Sequence, residues 1–235
     1  MPTHLIRKLA RYGPLSDHER RILQRATDRI RTVEADGDIV ADGETPGHCR
    51  LLAEGFAART KMLQDGRRQL TAIHVKGDFL DLNGFLLSPL DHGVLALTRC
   101  AVAEIPHRLL TEITEEEPNL TRLLWRSTLI DAATQRAWMV SLGRRSSVGH
   151  CAHLLCELCV RLEAVGEVSP DRSFRFPITQ TELGDALGIS SVHANRVLQE
   201  LRGDGLIVWS GGTVRIEDWD RLAALASFDP AYLGL

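Results

Sequence analysis

A short stretch near the C-terminal end of the chain carries two contrasting helix faces. One face combines hydroxyl, amide and guanidinium groups with a small apolar side chain, and it consists of Ser191, Val192, Asn195 and Arg196. The other face is apolar at the spacing that an α-helix buries, and it consists of Ala194, Val197, Leu198 and Leu201. The polar face has the chemistry to contact phosphates and base edges in a DNA major groove.

The residues just before this stretch predict a second helix and a tight turn. Thr179 and Glu182 have the spacing of a capping box, in which a hydroxyl and a carboxylate satisfy backbone donors at a helix start. Gly184 permits close approach of another helix, Gly188 permits a positive φ at the turn, and Ser190 can cap the helix that follows. The pattern indicates a helix-turn-helix that binds DNA rather than a helical hairpin in a core.

The composition is that of a globular protein with ordinary packed cores. The chain has 235 residues, of which 44% are hydrophobic, which predicts one large or two medium domains. We expect no membrane span, and the charged, amphipathic N-terminus is unlike a signal peptide, so the expected location is the cytoplasm. The five cysteines fit a reducing compartment.

The charge distribution constrains how DNA would be bound. The net charge is −3, and the part from Ser147 onward has seven arginines against twelve acidic residues. A generally basic surface is therefore not expected. Affinity must instead come from a few placed contacts and from two-fold repetition.

The first half of the chain predicts two helices followed by a β-domain. A helix extends to about Tyr12, and Ser16 can cap a second one through residues 17–26. Between Val33 and Pro106, short apolar runs alternate with glycine turns. This spacing predicts an antiparallel sandwich or barrel.

A long helix follows from Leu109 to about Arg145, with Pro118 at a helix start. Residues at alternating four- and three-residue spacing predict a seam that a partner helix could share: Leu123, Ser127, Ile130, Thr134, Ala137 and Ser141. The alternative is a single helix packed on its own domain.

The rest of the chain predicts a hinge and a small winged domain. Residues 143–149 interrupt the helical pattern, and Ser147 can cap the next helix. The predicted elements after the hinge are a helix over 150–165, a strand over 174–177, a hairpin of 206–209 with 213–216 that forms a wing, and a helix over 218–226.

This order of parts resembles the Crp/Fnr family of bacterial transcription regulators. Gly37, Asp38, Gly43 and Glu44 resemble the family's early turn pattern. The resemblance implies an α+β fold with an N-terminal antiparallel β-roll of the cyclic-nucleotide-binding type, a long dimerisation helix and a C-terminal winged helix-turn-helix. The corresponding domains are residues 1–118, 119–146 and 147–235.

The effector pocket of the family is degenerate in this sequence. Gly77 and Asp78 stand where the phosphate-binding cassette begins, but Asp91 and His92 occupy approximately the place of its arginine and serine. A cyclic phosphate would meet a carboxylate where it needs a guanidinium. We therefore expect no cyclic AMP binding in the usual mode, and the effector, if any, is unknown.

The cysteine pattern also departs from the Fnr-like members, which bind an iron-sulfur centre through an N-terminal cluster. No cysteine precedes Cys49, and Cys151, Cys156 and Cys159 share one predicted helix. Core packing is the favoured role, with redox sensing as the alternative. No cofactor or metal is predicted, and the absence of both sensor signatures resembles the FixK-like members.

The resemblance implies two protomers on a palindromic double-stranded DNA site, with RNA polymerase as a further partner. It makes Arg196 the reader of guanine, whereas Val192 replaces a frequent glutamate and can pack on a thymine methyl. The other predicted contacts are Asn195 to adenine or phosphate, Ser190 and His193 to phosphate, Ser191 to a base or to position the helix, and Thr179 and Gln180 beside them.

Two other classes of function were weighed. A ligand- or redox-sensing module acting on a protein partner would keep the β-roll and lack DNA affinity. An enzyme is not predicted, because no nucleophile with a spaced base, phosphate loop or metal motif stands out.

Overall fold

The computed structural model describes residues 3–235, so the first two residues of the predicted domain 1–118 lie outside it. The chain forms two compact units. The first unit consists of two segments, the described residues up to Lys61 and Ala72–Ala132. The second unit consists of Met62–Thr71 and Ala133–Leu235. No helix within residues 3–235 is long and apolar enough to cross a membrane.

The first unit begins with the two predicted helices, α1 (Thr3–Tyr12) and α2 (Asp17–Ala26). Ser16 caps α2: its hydroxyl accepts a hydrogen bond from the Glu19 backbone N–H, and the Glu19 carboxylate accepts one from Ser16. This reciprocal arrangement satisfies two donors that the helix cannot pair internally. The apolar faces of both helices lie in a core with strand residues such as Leu51 and Ile105.

Seven strands form the antiparallel roll expected from the glycine-punctuated pattern. One sheet has the order β1-β7-β3 and the other β2-β6-β4-β5. The strands are β1 (Ile30–Val33), β2 (Asp38–Val40), β3 (His48–Glu54), β4 (Ala57–Met62), β5 (Arg68–His74), β6 (Gly93–Ala96) and β7 (Cys100–Pro106).

Residues 76–82 lie within the segment Val33–Pro106, where the sequence predicts short strands from its apolar runs, but no regular strand forms there. Only Phe79 forms an isolated bridge, to Leu51, and a 3-10 turn follows at Leu82–Phe85. Asp81 precedes this turn, and its buried carboxylate accepts hydrogen bonds from the backbone and guanidinium of Arg50. Arg50 also pairs with Glu44. This buried ionic cluster holds the start of the 3-10 turn against β3.

Two helices follow the roll, α3 (His107–Glu116) and α4 (Pro118–Arg144). The break falls at Glu117, directly before Pro118, because a proline ring disfavours helical backbone in the preceding residue. Proline is tolerated in the first turn of α4, where its missing N–H costs no intrahelical bond. The predicted start at Pro118 is therefore confirmed.

The predicted seam on α4 is partly covered within the protomer. Leu123 and Ser141 are buried, at 4% and 1% exposure, and Ile130 packs against the core of the first unit. The large apolar side chains that α4 exposes are Trp125, Leu129, Met139, Val140 and Leu142. Trp125, Leu129 and Met139 lie two residues after predicted members, about 200° around the helix. The other four–three positions of that face are Ala132, Arg136 and Gly143, so its large apolar residues form no continuous repeat that spacing could reveal.

The second unit continues with α5 (Ser147–Val165). Its N-cap is Ser146, whose hydroxyl accepts a hydrogen bond from the Gly149 N–H, so the predicted cap at Ser147 is wrong by one residue. Gly143, expected to open the hinge, lies inside α4. The interruption of the helical pattern is confined to the junction after Arg144.

The winged helix-turn-helix follows in the predicted order. A three-stranded antiparallel sheet has the order β8-β10-β9, with Val214 opposite both Phe174 and Trp209. The elements are β8 (Ser173–Arg175), α6 (Gln180–Leu187), α7 (Ser191–Gly203), β9 (Ile207–Ser210), β10 (Thr213–Ile216) and α8 (Trp219–Ala226), and a 3-10 turn, Pro230–Leu233, comes after them.

Glu157 joins three parts of the second unit at a fully buried position on α5. Its carboxylate accepts hydrogen bonds from Trp138 on α4, from Arg161, and from the Tyr232 hydroxyl of the C-terminal turn. Burial is the largest cause that raises the pKa of Tyr232, and the neighbouring Glu157 carboxylate raises it further. The phenol therefore stays protonated and acts as a donor. The ion pair and hydrogen bonds together offset the cost of burying the charge.

Candidate nucleic-acid interface

The predicted turn geometry is present between α6 and α7. The Thr179 hydroxyl accepts from the Glu182 N–H at 3.1 Å, and the Glu182 carboxylate accepts from the Thr179 N–H at 2.6 Å. Gly188 ends α6 with φ of 69°, in the left-handed region that favours glycine. A Cβ on Gly184 would lie 2.7 Å from the carbonyl oxygen of Ile189, so only glycine permits this close helix approach.

Helix α7 buries and exposes the two faces that the sequence predicts. The Ser190 hydroxyl caps it by accepting from the His193 N–H at 3.2 Å. The buried residues are Ala194, Val197, Leu198 and Leu201. Ser191, Val192, His193 and Arg196 are exposed, and Asn195 is half-buried. Val192 has 64% of its surface exposed, which is unusual for a branched apolar residue and leaves its methyl groups free for a partner.

The side chains on this face differ in what they have left to offer. Within residues 3–235, Arg196 forms neither a hydrogen bond nor an ion pair, so all five of its N–H donors are available. Ser190 uses only an acceptor position in its cap and keeps its hydroxyl proton. Thr179 instead donates that proton to Glu182 at 2.8 Å, so its hydroxyl cannot donate to a phosphate while the cap is closed. Gln180 is exposed at the first position of α6.

Two arginines hold the wing through hydrogen bonds to its backbone carbonyls. Arg202 donates to the Trp209 carbonyl at 2.7 Å, and Arg175 donates to the Gly211 carbonyl at 3.0 Å. Trp209 stacks on Phe176 with ring centroids 5.4 Å apart. The turn itself needs Gly212, because a Cβ there would lie 2.8 Å from Pro177. The wing thus has a fixed position beside α7.

Comparison with known proteins matches both ends of the chain to domain families. Residues 149–225 match the Crp-like helix-turn-helix domain, and residues 30–117 match the cyclic nucleotide-binding domain. The chain is 30% identical over 198 residues to the transcriptional activator protein FnrA of Stutzerimonas stutzeri, covering 84% of this chain and 80% of that protein. It belongs to the Crp/Fnr family of transcription regulators.

Other relatives agree with this assignment. A probable transcriptional activator of Rhizobium leguminosarum bv. viciae is 28% identical over 216 residues, which are 92% of this chain and 88% of that protein. The structure of FixK2 from Bradyrhizobium japonicum superposes with a TM-score of 0.75 at 23% identity, covering 86% of this chain and 98% of that one. The chain is thus a DNA-binding transcription regulator with the α+β fold of its family, whose members are regulators and not enzymes.

The four residues predicted for a degenerate effector pocket form two groups with different contacts. A Cβ on Gly77 would lie 2.9 Å from the backbone of His4, and the buried Asp78 accepts from Lys8 and from the Val75 N–H. Both residues therefore attach the β5 end of the roll to α1.

Asp91 and His92 pair with each other, with the carboxylate 2.8 Å from the imidazole Nδ1. This hydrogen bond, first, and the imidazole charge lower the pKa of Asp91, so it is a carboxylate at neutral pH. Its side chain points to solvent while His92 is buried. The apolar side chains of Leu80, Leu90 and Val94 occupy the core of the roll beside them.

The cysteines lie where the packing interpretation placed them. All five are buried free thiols. Burial raises the pKa of Cys151 and Cys156 to about 12 and that of Cys159 to about 11. Because the thiolate is the reactive form, these thiols are poor nucleophiles and poor metal ligands. No group of three or more metal-ligating side chains occurs in residues 3–235.

Sequence reasoning missed the buried charges. Asp81 and Arg50 are 31 residues apart, and the Trp138 and Glu157 partners come from different helices. No local spacing signals such pairs. The sequence signal for such a pair is a charged residue within a strongly apolar run, as at Glu157, because charged residues are rarely buried without a partner.

Proposed function

We propose that this protein acts as a homodimer in the cytoplasm, binds a palindromic DNA operator and activates transcription through RNA polymerase. The observation that carries the proposal is the exposed, unpaired face of α7, at whose centre Arg196 has no internal partner among the described residues. Two such helices related by two-fold symmetry would enter successive major grooves one helical turn apart. The activating sign rests on relatives named as activators.

The proposed base contacts follow from side-chain chemistry. Arg196 presents its guanidinium fork to the O6 and N7 acceptors of guanine, and Val192 packs on a thymine methyl. Asn195 pairs with adenine or a phosphate, while Ser190 and His193 contact phosphates. Ser191 contacts a base or positions the helix. Thr179 and Gln180, at the start of α6, approach the DNA backbone, and Gln180 is the better hydrogen-bond donor of the two.

Dimerisation is assigned to the exposed stripe of α4. Trp125 and Met139 are 65% and 71% exposed, and Leu129 lies between them on the same helix face. Large exposed apolar side chains that share a helix face mark an interaction surface. Pairing with a second, symmetry-related α4 would cover all three.

Cyclic nucleotides are not the proposed effectors. In place of a buried bidentate cation, the cassette position has the solvent-facing carboxylate of Asp91. A phosphate entering the roll would lose its hydration without gaining a matching donor. Titration calorimetry with cyclic AMP or cyclic GMP should therefore give no saturable binding, and either nucleotide should leave operator affinity unchanged. Micromolar binding with a nucleotide-dependent gel shift would contradict this part of the proposal.

Stoichiometry on DNA tests the proposal as a whole. Calorimetry should give two protomers per palindromic duplex, and a duplex with one half-site should bind much more weakly. The alternative, a regulatory module acting on a protein partner, would give no saturable binding to either duplex.

A further inference from the structure

Residues 62–71, which include the turn of the β4–β5 hairpin and the first residues of β5, belong to the same compact unit as the helix-turn-helix. Arg68, the first residue of β5, donates a hydrogen bond from Nε to one carboxylate oxygen of Asp185 on α6 at 2.9 Å, and its Nη2 forms an ion pair with the same oxygen at 2.8 Å. Both side chains are mostly covered, at 25% and 22% exposure. The pair is therefore shielded from solvent more than an ordinary surface ion pair.

The neighbouring residue contacts the same helix end. Gln69 donates its side-chain N–H to the Ala186 carbonyl at 3.3 Å. The last carbonyls of a helix have no intrahelical partner, so Gln69 supplies a donor that α6 lacks. The positive charge of Arg68 also lies near the negative end of the α6 dipole.

The corner of the helix-turn-helix is enclosed by the same residues. A Cβ on Gly188 would lie 3.5 Å from the Gln69 side-chain oxygen and 3.3 Å from Leu142 on α4. Gly188 thus faces the hairpin turn on one side and α4 on the other. Because α6 meets the α7 N-terminus closely at Gly184, a restraint on α6 also restrains the recognition helix.

We propose that Arg68 and Gln69 form a clasp that fixes the orientation of α6, and through it of α7, for DNA recognition. Neither residue lies on the polar face of α7, so each is a positioning residue and not a DNA contact. Along the chain, the two clasp residues belong to β5, which the hairpin turn joins to β4 of the roll. A ligand or partner that moved this turn would therefore change operator binding without touching the recognition helix.

The inference rests on the proposed operator binding, and charge reversal tests it. Arg68→Asp should lower the preference for operator over random DNA by about three- to tenfold, because a shielded ion pair becomes a repulsion. Asp185→Arg should do the same, and the double variant Arg68→Asp with Asp185→Arg should recover most of the loss. The matched control is Arg67→Asp, since Arg67 is 79% exposed and pairs with Asp65 in its own turn.

A second measurement does not need DNA. Amide hydrogen exchange over residues 183–189 should be faster in Arg68→Asp than in the parent protein, and normal in Arg67→Asp and in the double reversal. The clasp is overturned if Arg68→Asp leaves both the DNA preference and the exchange unchanged, or if Arg67→Asp has equal effects. A parent protein that binds no operator would refute the proposed function instead, while exchange would still test the clasp.

Discussion

At the scale of single residues, the proposed DNA sequence preference rests on the contacts of Arg196 and Val192. Both are exposed on α7, one a cation with no internal partner among the described residues and the other an apolar side chain largely in solvent. Neither exposed side chain stabilises the isolated protein. Both side chains are therefore accessible to a partner.

Replacing Arg196 with alanine should cost about 1 to 3 kcal/mol of operator binding and relax discrimination at one symmetric guanine position. Arg196→Lys keeps the positive charge but removes the planar guanidinium fork. Binding to random DNA should therefore stay near the parent value while the preference for guanine falls. Fluorescence anisotropy on operator and mutated duplexes measures both. Equal losses on specific and random DNA would remove Arg196 from base recognition.

Val192→Glu should change the half-site rather than weaken it uniformly. A glutamate at this position can accept a hydrogen bond from the cytosine amine, which valine cannot. Selected sites should gain cytosine at one position in each half-site and lose thymine there. An unchanged preferred sequence would show that residue 192 does not reach the bases.

At the scale of elements, local signals predicted most of the fold. The capping boxes at Ser16 and Thr179, the glycine turn and the wing each depend on residues within a few positions of one another. The proposed dimer face of α4 could not be found in this way, because its large apolar residues, Trp125, Leu129 and Met139, form no continuous repeat. Burial decides which residues of α4 are exposed, and it depends on the distant residues that cover Ile130.

The exposed stripe of α4 gives a test of dimerisation. Leu129→Asp and Met139→Asp should each shift the protein from dimer to monomer in light scattering, because a charge would enter an apolar interface. Leu225→Asp is the control, since Leu225 is also an exposed leucine but lies on α8. Ile130→Asp should instead lower the melting temperature by disrupting the core. Unchanged mass in both stripe variants would exclude this interface.

At the scale of the whole molecule, buried ionisable groups couple stability to pH. His150 lies edge-on to Trp138, and His153 stacks on Tyr232. Burial, first, and the nearby charge of Arg145 lower the pKa of both histidines to about 4. The candidate site could be proposed from the sequence more readily than this arrangement, because its residues all lie within positions 179–196 whereas the histidine partners come from other elements.

Stability should therefore fall as the pH is lowered from about 6.5 to about 4. In this window the unfolded chain binds protons at positions 150 and 153 that the folded protein excludes, so the free energy of unfolding rises with pH. The slope should approach about 1.4 kcal/mol per pH unit for each histidine. Urea unfolding at several pH values measures it. In His153→Phe, the slope should be smaller, and an identical slope would contradict the burial of a neutral imidazole.

The most direct test of sequence-specific DNA binding by a symmetric dimer is selection of bound fragments from a random DNA pool, followed by sequencing. We predict a single enriched palindrome with half-site centres about 10 base pairs apart and a guanine in each half-site that disappears from the Arg196→Ala selection. Failure to enrich any sequence, or enrichment of an asymmetric site unaffected by Arg196→Ala, would contradict recognition by paired α7 helices.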